Sequence, residues 1–154
     1  MSGHWKGFKI DEIDESFGNC ELVRFSQEED SIEIDLIFDN DRTLQFTFPN
    51  GALSYRYADE GDRLEMLAYL SKNHQNESFK KMYSIYYPTF LIEDSDYLKW
   101  FYEESENSYN DDEVTHYIFL TSNDVIDVLS TYPPKVKEVE SDASFIDQNK
   151  DVNG

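Results

Sequence analysis

The chain has 154 residues, with 33 acids against 13 bases and a formal net charge of −20. Such a chain repels phosphate and anionic lipid at long range, which argues against direct binding of nucleic acid or of a membrane surface. Apolar residues make up 39%, but eleven Tyr, eleven Phe and two Trp bury much area per residue, so a core can form and general disorder is disfavoured.

The length favours a single domain, expected over 1–139, followed by a disordered tail at 140–154 that has little to bury. In the first ten residues Trp5, Phe8 and Ile10 can pack as a short lead-in, and residues 11–19 are turn-rich. Cys20 to Phe25 is expected as a strand. Cys20 is the one cysteine, so no intrachain disulfide can form; beside Leu22 and Val23 it reads as a buried, inert thiol. Next, Ile32, Ile34, Leu36 and Phe38 alternate with Glu33, Asp35 and Ile37, which is the period of a half-buried strand. After the turn at 39–41, Leu44, Phe46 and Phe48 alternate again. After Pro49-Asn50-Gly51, so do Leu53, Tyr55 and Tyr57. Three such runs on short connections predict an N-terminal antiparallel β-meander.

The period then changes. Asp59 is placed to cap a helix with Leu64, Leu67 and Ala68 on its inner side, and a polar bend is expected at Asn73 to Ser78. Met82 to Ile92, rich in Tyr and Ile, reads as a strand that Pro88 confines to an edge or splits with a bulge. Asp94 or Ser95 can cap a second helix carrying Tyr97, Leu98, Phe101 and Tyr102 at helical spacing. A strand is expected over 114–121. A short helix follows, with Thr121 and Asp124 at capping-box spacing, and Lys135 to Val139 is a last strand. The expected class is α+β: the meander, then mixed short helices and strands.

Chemistry-bearing motifs are scarce. His4, His74 and His116 lack a second His or Cys at ligand spacing, and Asp39 and Asp41 open no complete calcium loop, so no metal and no cofactor is expected. His116 falls on the apolar side of its strand and reads as a hydrogen-bonded structural histidine. No nucleophile elbow or phosphate loop is present, and the chain is not expected to be an enzyme. The conspicuous feature is acidic: Glu103, Glu104 and Glu106, then Tyr109, then Asp111, Asp112 and Glu113. Acids around a ring suit a grip on a basic partner. Asp59, Glu60 and Asp62 form a second acidic group that can share a face with the first.

The stretch from Ser16 through Phe38 resembles the immunity proteins of bacterial polymorphic-toxin and contact-dependent-inhibition systems. Those carry a Ser-Phe-His-Asp-x-Glu stretch followed by antiparallel strands. Ser16, Phe17 and Glu21 match, while Gly18 and Asn19 stand where the family has His and Asp. The resemblance covers roughly the first 60 residues and implies a cytoplasmic inhibitor of one cognate toxin, often a nuclease. No apolar leader precedes the first strand, which agrees with a cytoplasmic location. The expected function is an acidic binding protein that occludes a basic surface on a toxin. The alternative is a nucleic-acid mimic that blocks a DNA-binding protein, and a carboxylate enzyme ranks behind both.

Overall fold

The computed structural model describes residues 3–29, 31–49, 52–109 and 113–140. Nine strands form two antiparallel sheets, joined by three α-helices, so the class is α+β with strand predominating among the described residues. The strands are β1 (His4–Gly7), β2 (Cys20–Glu28), β3 (Ser31–Phe38), β4 (Thr43–Pro49), β5 (Ala52–Asp59), β6 (Thr89–Glu93), β7 (Thr115–Leu120), β8 (Asp124–Ser130) and β9 (Lys135–Val139). The helices are α1 (Leu64–Asn73), α2 (Glu77–Tyr86) and α3 (Asp96–Glu104), with a single 3₁₀ turn at Glu60–Asp62 before α1. One sheet has the order β1-β6-β7-β8-β5, the other β2-β3-β4-β9.

The alternation seen in the sequence sets the packing. Ile32, Ile34, Leu36, Leu44, Phe46 and Phe48 point inward from the smaller sheet. They meet Tyr117, Phe119, Ile126 and Val128 of the larger one, and Phe46 and Phe48 contact Phe119 edge-on at 5.1 and 6.0 Å. The opposite face of the larger sheet carries Phe90, Ile92, Ile118, Leu120 and Val125. Met66 and Leu70 of α1 cover it, with Phe79, Met82, Tyr83 and Tyr86 of α2 packed alongside. Tyr97 and Leu98 of α3 pack on Leu129 of the same sheet and on Val114, just before β7. Cys20 is 1% exposed, and burial pushes its thiol up to about 12, as the inert reading requires.

Four expectations are corrected. The meander holds only for β2, β3 and β4: β9 takes the free edge of β4, while β5 crosses to the other sheet and pairs with β8. Alternation specifies two faces but not the neighbour along the edge. Residues 82–86 are the end of α2, not a strand; the Asn76 side chain caps it by accepting the Phe79 N–H, and Pro88, after a cis peptide bond, separates it from β6. Phe79, Met82, Tyr83 and Tyr86 have helical spacing, which outweighs the strand propensity of the three rings. Asp124–Ser130 is a strand, not a helix: Thr121 does accept the Asp124 N–H, but inside the tight β7–β8 hairpin turn. In α1 the buried residues are Met66 and Leu70, whereas Leu64 is 71% exposed and Ala68 is exposed, and Asp59 caps the 3₁₀ turn instead of the helix. The second helix, capped by Ser95, and the strands at 20, 32, 43, 115 and 135 form as expected. Of the expected tail only Glu140 falls among the described residues.

Candidate functional site

The predicted acidic residues divide into two places. Glu103 and Glu104 end α3, exposed to solvent. The chain then turns through Glu106 and Asn107, both with left-handed backbone, while Ser105 Oγ donates to the Phe101 carbonyl at 2.8 Å. Tyr109 is half-buried with its ring against Phe101 at 5.5 Å, so part of its area is already committed to the core. Glu113 is exposed just before β7. Asp111 and Asp112 lie outside the described residues. The second group sits at the other end of the larger sheet: Asp59 pairs with Asp124 at the start of β8, and its carboxylate accepts the Gly61 N–H at 2.8 Å. Glu60 is half-buried and Asp62 exposed beside it. The β7–β8 register puts Thr115 and the turn at Thr121 at opposite ends, about 20 Å apart at the usual rise per residue. The described members of the two acidic groups therefore do not form one patch.

Between them lies a polar centre the sequence did not disclose. Asp127 is fully buried on the helix side of the sheet. Its Oδ1 accepts from His116 Nε2 at 2.6 Å, and its Oδ2 accepts from Arg56 Nε at 3.0 Å and Arg63 Nη1 at 2.6 Å. The register makes this set: Arg56 and Ile118 stand opposite Asp127, and His116 is diagonal to it. Arg63 arrives from the residue before α1. The Arg56 guanidinium also lies over the Tyr97 ring, 4.2 Å from its centre. His116 Nδ1 is 2.7 Å from Ser95 Oγ, which accepts the Leu98 N–H and so caps α3. Consistent donors require Ser95 O–H to donate to Nδ1 and Nε2–H to donate to Asp127, with the imidazole neutral.

Burial pushes the His116 imidazole below its ordinary value, against the pull of Asp127. Burial would raise the Asp127 carboxyl, but the His116 hydrogen bond and then the hydrogen bond and charge of Arg56 override it, and the group titrates well below the usual carboxylate range. Both shifts make the fold acid-sensitive. A histidine with a lowered folded value binds its proton more readily when unfolded, so stability falls as pH drops below about 6.5. The Asp127 contribution is lost only further down, as pH falls below about 3.8 towards the folded value. Urea titrations at pH 7 and pH 5 are expected to show the loss, and His116→Gln to flatten it; an unchanged slope in the variant would place the titration elsewhere.

Ser95, His116 and Asp127 are joined in the order of a nucleophile relay. Yet Ser95 is 1% exposed, its oxygen is held by the Leu98 N–H, and the Asp127 charge is shared by two guanidiniums. Attack on a substrate would require Oγ to leave its partners. What the bonds do achieve is to fasten α3 and the start of α1 to the sheet. A cleft of about 520 Å³ opens above them, its lining including Arg56, Arg63, Tyr97 and His116 as well as Asp62 and Glu65. Among the described residues no three His, Cys, Asp or Glu are placed to hold a metal ion, and no helix is long and apolar enough to cross a membrane.

The stretch around Phe17 has structural work. Phe17 is fully buried against Phe38 at 5.1 Å, with the Arg42 guanidinium over its other side at 4.7 Å. Gly18, at φ +70°, brings the backbone to Asp39, whose Oδ2 accepts the Asn19 N–H at 2.9 Å; a Cβ at 18 would lie 2.6 Å from that oxygen. No family model, no curated protein and no solved structure matches this chain.

Proposed function

We propose that this chain is an acidic binding protein that neutralises a basic partner, and that it acts as an immunity protein against a cognate toxin, a nuclease fitting best. The observation that carries the reading is the −20 charge together with the use of every arginine: Arg24, Arg42, Arg56 and Arg63 are each paired with an acid of the same chain. The negative field is thus left without an arginine patch to interrupt it. A nuclease holds a polyanion, so its cleft is cationic and meets this field with complementary charge. The partial match at Ser16, Phe17 and Glu21 supports the same class of partner.

The test is co-expression with the protein encoded by the adjacent gene. A complex is expected whose affinity falls about tenfold or more when salt rises from roughly 0.05 to 0.5 M, most of it in the association rate. Cells carrying the pair should survive expression of a toxin that kills cells lacking this chain. Absence of both the complex and the protection would remove the proposal.

A further inference from the structure

The two sheets have four edges, β1, β5, β2 and β9, and three of them are blunted. β1 is four residues long, β9 carries Lys135 and Lys137, and β2 is interrupted in mid-strand by a bulge between Leu22 and Arg24. Short strands, lysines and bulges are how proteins discourage a foreign strand from pairing. β5 differs. It is eight residues long, lacks lysine, and after a bulge at its start runs in regular register with β8 from Ser54 to Asp59. β8 is its one strand partner among the described residues, so the other row of backbone groups faces outward. Tyr55 and Tyr57 on this edge are 44% and 53% exposed. Trp100, 49% exposed, stacks on Tyr97 nearby and shares a shallow hollow with Tyr55 and Arg56.

Resting on the reading above of a basic partner, we propose that the partner docks as an added strand along β5, with its lysines and arginines towards the acids at the two ends of that strand and its apolar side chains on Tyr55 and Tyr57, which share one face of β5. Charge selects this occupant. Glu29 lines the groove at the Ala52 end, and Asp59, Asp62 and Asp124 stand at the other, where the Tyr57 hydroxyl donates to Asp124. Arg56, the one base on the strand, is turned to Asp127. A second copy of this chain would bring another −20 to the same edge, which opposes self-pairing. Backbone bonds would supply affinity, and the alternating side chains the register.

The test uses the full chain and a synthetic peptide of roughly eight residues alternating Lys and Val, a length matched to one strand. Hydrogen exchange at the outward-facing β5 amides between Ser54 and Ala58 is expected to slow about tenfold on binding, while those already bonded to β8 stay unchanged. The effect should vanish with a peptide bearing proline at its centre and in the Tyr57→Lys variant, whose exposed site leaves the core untouched. Protection confined to Glu103 and Glu104, protection that survives the proline peptide, no protection, or dimerisation of the chain through β5 in light scattering would each overturn the proposal. A salt-sensitive complex with the adjacent gene's product that persists in Tyr57→Lys overturns edge docking and leaves the immunity reading standing. Docking of the peptide on β5 with no toxin neutralised does the reverse.

Discussion

Asp127→Asn is expected to lower the stability of the fold by roughly 3–5 kcal/mol, read as a fall in the urea midpoint at unchanged m. The carboxylate is fully buried and is the common acceptor of His116, Arg56 and Arg63. An amide keeps the shape but removes the charge, and its nitrogen presents donors to donors. Arg63, 17% exposed, then keeps a guanidinium with little water to replace its partner. Arg56→Met is the contrast. That side chain is 43% exposed, so solvent screens its pair with Asp127, and the expected loss is about 1 kcal/mol, largely the contact with Tyr97. Equal losses at the two positions would mean that Asp127 is hydrated and the centre does not fasten the helices to the sheet.

That centre also shows where sequence reasoning stops. His116 was legible as a structural histidine because Val114, Ile118 and Leu120 surround it at strand spacing. Asp127 was not, because the Thr121–Asp124 pair looked like a helix cap and put the following residues in the wrong period. The corrective signal was present: the β-branched Val125, Ile126 and Val128, with Leu129, put apolar residues on both sides of one acid, the pattern of a strand buried on both faces. Arg56 and Arg63 could not be joined to it from sequence, since β5 reaches β8 only by leaving the meander, and pairing between sheets is a tertiary choice. The open edge was hidden for the same reason. Tyr55 and Tyr57 alternate as well as any pair in the chain, but whether a strand is central or terminal depends on which neighbours arrive. The acidic residues were visible from the start, yet their division between two ends of a sheet follows from the register of β7, β8 and β5.

Phe119→Ala is expected to cost about 3–5 kcal/mol, the range for removing a ring from a packed core. Phe119 is fully buried on the inner face of β7, edge-on to Phe46 and Phe48 of the facing sheet. Its neighbour Ile118 is equally buried on the other face, under α1 and α2. The two positions therefore probe different layers. Loss at Phe119 alone does not prove that the sheets face each other, because any buried ring is costly. The double variant with Phe46→Ala does discriminate. Rings in contact should show a coupling of about 0.5–1.5 kcal/mol, whereas Ile118→Ala combined with Phe46→Ala should be additive within about 0.5 kcal/mol. If Phe46 coupled to Ile118 and not to Phe119, the alternation along β7 would be off by one residue. His116 would then turn away from Asp127, and the buried centre and the packing of the two sheets would fail together.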